Sequence, residues 1–298
     1  MSGSPHAAAP DDPRLVLVLA LADDELVLGH RHAEWTGWAP YIEEDLAFSS
    51  IAQDEMAHAR LLYGLAGEMT GQDEDSLALG RRPEEYRNAV LCERPNRDWA
   101  FTLARQYLYD TADAIRLEAV AASSWLELAE LVKVIQLEEA YHADHARAWF
   151  DRLARGPVEA RSRLAEGLRT AIPEAVALFE PLPGEDRLVA DGVLARSSEA
   201  MLGEWLSALG DSLEAASLDF VLEHHGPSGG EMVPTSTGEI EAESEDLLVP
   251  GIVRRDGRWV HEGAFAGAGG RHGRHSEDFG PLWEELTMLH RAHPGARW

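Results

Sequence analysis

Two Glu-x-x-His pairs, Glu55/His58 and Glu139/His142, each interrupt an apolar stripe of helical period. The first stripe reads Phe48, Ile51, Glu55, His58, Leu62, Leu65 and Met69, and the second Trp125, Leu128, Val132, Ile135, Glu139, His142, Ala146 and Phe150. An ionised carboxylate taken out of water needs a counter-charge, several hydrogen bonds or a metal ion. Glu with His three residues later offers one ion two ligands from one helix. A single pair says little, because 53 acidic residues and 13 histidines produce about one by chance. Bundle sites for paired iron or manganese add one carboxylate from each of two further helices, in the order carboxylate, pair, carboxylate, pair. Glu25, on the stripe Val18, Leu21, Glu25, Leu28, lies 30 residues before Glu55. Asp110, on Leu103, Gln106, Asp110, Ala114, Leu117, lies 29 before Glu139. The expected ligand set is therefore Glu25, Glu55, His58, Asp110, Glu139 and His142. Iron is favoured over zinc because oxygen donors dominate and no thiolate takes part; manganese is the alternative.

Those six residues need four long helices, and the near-equal separations predict a helical hairpin repeated once. The first helix is expected from near Asp12, with Pro13 in its first turn, to about Thr36; the second from Tyr41 to Thr70, closed by Gly71. Residues 72–97 form a connector with one short helix, Pro83 to Cys92, long enough to run the length of a bundle. The third helix spans Asp98 to Ala121 and the fourth Ser123 to Arg155. The fold class is all-α: a ferritin-like long four-helix bundle with additional C-terminal helices and a loop-and-hairpin excursion.

Beyond the bundle, a fifth helix covers Val158 to Thr170 and Pro173 to Phe179, bent or broken at Pro173. EPLPGED reads as a turn, Ser198 to Leu209 as a sixth helix, and Ser212 to Leu222 as another short one. The run GIVRRDGRWVH (Gly251 to His261) carries Asp256-Gly257 between two alternating segments, the signal of a two-residue hairpin turn. Gly263 to Arg274 reads as a flexible, solvated, locally basic stretch with Arg271, His272 and Arg274, and the last helix runs from Ser276 to Ala292. The expected organisation is a disordered tail at 1–11, bundle and packed helices at 12–225, a flexible loop with a hairpin at 226–275, and a C-terminal helix packed on the bundle at 276–298.

A net charge of −27 leaves no basic stripe for phosphates or for an anionic membrane. The one cysteine, Cys92, cannot form an internal disulfide, which fits the cytoplasm. Leu15 to Ala22 is too short to span a bilayer, and MSGSPHAAAP lacks the pattern of a signal peptide. No Gly-rich phosphate loop or nucleotide fingerprint occurs.

Three stretches, AEWTGWAPYIEEDLA (Ala33 to Ala47), ARQYLYD (Ala104 to Asp110) and HSEDFGPLWEELTMLHRAHPGARW (His275 to Trp298), resemble the C subunits of the bacterial phenylacetyl-CoA epoxidases. The likeness runs over nearly the whole chain, and the C-terminal stretch is its most specific part. It implies a structural subunit of a multicomponent oxygenase in aerobic phenylacetate catabolism. Its partners would be a homologous A subunit, which holds the di-iron centre and the CoA substrate, and a reductase with flavin and iron–sulfur groups that takes electrons from NADPH. Such C subunits have lost most of the metal ligands, with Leu- and Gln-type residues where Glu55 and His58 stand; this chain keeps all six. Two readings follow: a non-catalytic scaffold, with or without metal, its polar residues paired near Arg105 or Arg116, or a di-iron protein that activates dioxygen itself.

The remaining polar and aromatic residues are assigned plainer roles. Glu34 is a minor alternative to Glu25. His30 and His32 are expected to face solvent or a partner, His145 to be exposed, Glu138 to be a surface group or to bond a ligand, and Tyr107 and Tyr141 to pack in the core. His224 and His225 suggest no site without a third ligand. Trp35, Trp38 and Trp283 either anchor an interface with a partner or close the bundle ends.

Overall fold

The structure, a computed structural model, describes residues 12–218, 220–221, 247–248 and 251–296. The tail at 1–11, His224, His225 and most of the 226–250 loop lie outside the described residues. Four long helices form the bundle: α1 (Pro13–Ala33), α2 (Ile42–Thr70), α5 (Trp99–Ala121) and α6 (Leu126–Ala154). Between α2 and α5 the connector holds α3 (Glu74–Leu79) and α4 (Val90–Glu93). Asp12 caps α1 by accepting the Arg14 N–H, with Pro13 where no N–H is needed, and Gly71 ends α2 in the left-handed region at φ +76°.

The single connector helix expected over Pro83 to Cys92 does not form. Only a 3-10 turn (Pro83–Glu85) and α4 are helical, and the chain between them is extended. The cause lies in α1, where Asp23 and Asp24 are fully buried. Asp23 Oδ2 accepts the Arg87 N–H at 2.7 Å and Asp24 Oδ1 the Ala89 N–H at 2.7 Å, bonds that a helical backbone would have spent on itself.

Past the bundle lie α7 (Val158–Ala175), α8 (Glu185–Ala190), α9 (Ser198–Ala215) and α10 (Phe279–Ala292). Pro173 does not break α7, which continues to Ala175 and then tightens into a 3-10 turn at Val176–Phe179. The two short helices expected between Ser198 and Leu222 are one helix, α9, continuous through Gly210. A Cβ there would collide with the Trp259 ring, so glycine lets the hairpin pack against the helix. The α8 turn has no counterpart among the expected helices. Strands β1 (Phe220–Val221) and β2 (Leu247–Leu248) pair in parallel, and β3 (Ile252–Arg255) pairs antiparallel with β4 (Arg258–His261). Asp256 and Gly257 both have positive φ (+49° and +80°), as a primed two-residue turn requires.

The stretch 263–274 corrects its expectation as a solvated basic loop. Gly269 N donates to both Glu180 carboxylate oxygens at 2.9 Å, and Arg271 is buried to 1 % exposure. Arg271 forks onto Asp24, with Nη1 to Oδ1 at 2.8 Å and Nη2 to Oδ2 at 2.7 Å, while Arg116 Nη2 reaches the same Oδ2 at 2.8 Å. Composition hid this, because the partner of Arg271 lies 247 residues earlier. These guanidinium groups hold the Asp24 carboxyl below its ordinary value in spite of burial. The last helix starts at Phe279, three residues later than expected, with Ser276 Oγ accepting the Asp278 N–H and bonding Glu93. No helix among the described residues is long and apolar enough to cross a membrane.

One apolar layer joins Val18 and Leu21 of α1, Leu62 and Leu65 of α2, Leu117 of α5 and Val132 of α6. Toward the other end Phe48, Leu103 and Trp149 pack together, with Trp35 and Trp99 against them. The polar residues of all four helices lie between these layers. Gly29 permits the close approach of α1 to α2 there, because a Cβ on it would stand 3.1 Å from the Cβ of Glu55.

Candidate metal centre

All six expected ligands are buried. Glu25, His58 and Glu139 offer ligand atoms that lie within 4.8 Å of one another. His58 Nδ1 is 3.3 Å from Glu25 Oε2 and 3.1 Å from Glu139 Oε1, and His142 Nδ1 is 3.1 Å from the same Glu139 oxygen. Glu139 therefore stands between the two imidazoles. Glu55 and Asp110 are outside that tight group. Glu55 Oε2 bonds His32 Nδ1 at 2.9 Å, and Asp110 Oδ2 has no hydrogen-bond partner among the described residues. Both still feel the cluster: burial raises the Glu55 and Asp110 carboxyls well above their usual range, and the charge of Glu139 adds to each shift.

The outer imidazole nitrogens are held reciprocally. His58 Nε2 bonds Glu138 Oε2 at 2.8 Å, and His142 Nε2 bonds Asp54 Oδ2 at 3.2 Å. Each carboxylate immediately precedes the ligand Glu of one helix and crosses to the histidine of the other. An N–H donated outward leaves each Nδ1 lone pair pointing at the carboxylates, the orientation a metal ligand needs. The acid before the Glu in both pairs, Asp54-Glu55 and Glu138-Glu139, is a repeated signal visible in the sequence.

Several further placements differ from the expectations. His32 is fully buried against Glu55 rather than facing solvent. His145 is half-buried and bonds Glu44 at 2.9 Å. Tyr107 stacks on Phe150 in the core as expected, but Tyr141 is 77 % exposed. Tyr109, inside the ARQYLYD stretch and next to Asp110, donates to Glu25 Oε1 at 3.2 Å. Glu34 bonds Arg31 and Asn96, away from the cluster. Arg116 serves Asp24 and Asp113, and Arg105 bonds the Arg94 carbonyl and Asn96, so neither pairs with the six. Of the tryptophans, Trp35 packs inward, Trp283 donates to the Arg81 carbonyl, and Trp38 is exposed.

Without metal the cluster balances itself with protons. Burial disfavours charged imidazoles, yet bonds to Glu139 and Glu25 lift His58 to about 11, and Glu139 lifts His142 to about 9. Burial would raise Glu139, yet its bonds to His142 and His58 bring it down to about 2. Burial and the charge of Glu139 raise Glu25. The donor set, four carboxylates with two inward-facing imidazoles and an unsatisfied carboxylate oxygen, fits a pair of divalent ions such as iron or manganese.

A pH dependence follows. The folded values of His58 and His142 lie above the ordinary 6.5, so their stabilisation is complete below that pH and is lost as the pH climbs through about 9 and then about 11. The raised carboxyls act in the same direction. Chelator-treated protein is expected to lose at least about 3 kcal/mol between pH 6.5 and 9.5, the size of the His142 shift alone. Thermal unfolding across that range checks it, and a flat or rising midpoint contradicts it.

Residues 4–232 match the profile of the family described as phenylacetic acid catabolic protein. The chain is also similar to the C subunit of the 1,2-phenylacetyl-CoA epoxidase of Escherichia coli (strain K12), 27 % identical over 281 residues, covering 94 % of this chain and 97 % of that protein. With a helical bundle, a buried Glu/His/Glu cluster and a match over most of its length, the chain belongs to the phenylacetic acid catabolic protein family.

Proposed function

We propose that this chain is the C-type subunit of a phenylacetyl-CoA epoxidase, a multicomponent oxygenase of aerobic phenylacetate catabolism. Within it the chain is a structural subunit that keeps a pair of iron ions in its bundle. The observation that carries the assembly role is the likeness to the Escherichia coli epoxidase's C subunit over nearly the full length of both proteins. Its partners are a catalytic A-type subunit and a reductase. Bound iron would supply dioxygen chemistry. Glu25, Glu55, His58, Asp110, Glu139 and His142 would hold it, with Glu139 placed between the two histidines. Asp54 and Glu138 fix the imidazole orientations, Tyr109 holds Glu25, and His32 holds Glu55. The apolar layers above and below keep water away from these carboxylates.

Elemental analysis of the purified chain, alone and with its companions, tests the metal. Two irons per chain are expected, and none in the purified or iron-reconstituted protein contradicts it. A second reading, in which this chain itself oxidises substrate, is favoured by the complete donor set. Loss of turnover on Glu55→Ala with the complex still assembled would replace the scaffold role with this one.

A further inference from the structure

We propose that the outer face shared by α2 and α6 docks a companion subunit of the oxygenase, a different polypeptide presenting an apolar helical surface rimmed by Lys and Arg. This inference rests on the assembly role proposed above. Val134, Leu137 and Tyr141 follow one another at three- and four-residue steps on α6, so they form a single ridge. All three are exposed, Leu137 to 68 %. On α2, Ile42, Leu46 and Leu61 are exposed as well. The crossed bonds from Glu138 to His58 and from Asp54 to His142 set the two helices antiparallel and fix their register. Leu61 lies one turn beyond His58 and Val134 one turn before Glu138, which places them at the same level. Leu61, Val134, Leu137 and Tyr141 lie within about two turns of one another on two adjacent helices, and Ile42 and Leu46 continue the apolar exposure toward the N-terminal end of α2, more than the scattered exposure of an ordinary surface.

Charge selects the occupant. Glu43, Glu138 and Asp144 are exposed on these helices and Asp54 is half-exposed. Of the cations on these helices, Arg60 is bonded to Glu74 at 2.7 Å, Lys133 to Glu130 at 2.7 Å and Arg152 lies over the Trp149 ring; with exposed Arg147 they are four, against twelve Asp and Glu on the same two helices. A second copy would bring carboxylates against carboxylates in a chain of charge −27. A basic-rimmed stranger meets no such repulsion. Its docking would also cover Asp54 and Glu138, the carboxylates that hold the outer nitrogens of the two histidines.

The test titrates the full-length chain against the purified companion subunits of its own epoxidase. Leu137→Glu with Tyr141→Glu is expected to weaken the complex by at least ~100-fold. Met288→Glu, on the exposed face of α10, should leave it unchanged. Circular dichroism and thermal midpoints establish that the variants fold. Affinity that falls with added salt supports the basic rim, and salt-insensitive affinity overturns it. Undiminished affinity of the double variant overturns the docking face while leaving the assembly role intact. If the double variant instead abolishes self-association of the isolated chain, the occupant is a second copy and the proposal is wrong. Failure of the unaltered chain to bind any companion overturns the assembly role itself.

Discussion

Glu139→Ala is expected to lower iron affinity by more than ~100-fold and to weaken the metal-free protein by about 3–5 kcal/mol. The two losses have different causes. Glu139 is the carboxylate between both imidazoles, so its removal takes a ligand from the middle of the set. In the metal-free state it balances two buried imidazolium charges, and without it they are left short of counter-charge. Asp110→Asn makes the contrast: burial already raises this carboxyl well above its usual range, and its Oδ2 has no partner among the described residues. That substitution should also lose metal, yet leave the metal-free protein as stable as before or about 1 kcal/mol more so. Iron content with chemical unfolding in chelator measures both. Equal destabilisation by the two variants would refute the assigned role of Glu139.

Arg271→Ala is expected to cost about 3–5 kcal/mol, although Arg271 touches none of the six candidate ligands. Its fork onto both oxygens of Asp24 is buried, and the same guanidinium donates to the carbonyl oxygens of Arg87 and Leu178. Removing it leaves Asp24 with Arg116 as its remaining charged partner and takes away the side chain that ties α1, the connector carbonyl of Arg87 and the carbonyl of Leu178 to the 263–274 stretch. Arg271→Lys should recover part of the loss, because a point charge cannot reproduce the fork. Urea unfolding of the full chain gives the values; a change below about 1 kcal/mol would show that Arg116 alone suffices.

Local information predicted the four long helices and the order of carboxylates and pairs along them. Helical period needs only neighbours three and four residues away, and Gly71 or Pro13 marks its ends without help from distant parts. The same holds for Asp256-Gly257, whose turn follows from two adjacent residues. What escaped depends on partners far along the chain. His32 looks like one of several histidines at a helix end until Glu55 turns toward it. Arg271 sits among glycines and polar residues, a composition that ordinarily means solvent. The clue was elsewhere: Asp23 and Asp24 interrupt an apolar helix, and two buried anions demand cations from somewhere. The connector failed as one helix for the same reason, since its backbone N–H groups go to those two aspartates.

The pairing of Asp24 with Arg271 also bears on how the protein is made. All four helices that carry the candidate ligands leave the ribosome more than a hundred residues before Arg271 does. Until then the nascent bundle encloses an anion missing its second guanidinium. The finished chain, rather than the finished bundle, is the first species with its interior charges matched. Premature termination between residues 155 and 270 would thus yield a product that retains every candidate ligand but is exposed to proteolysis.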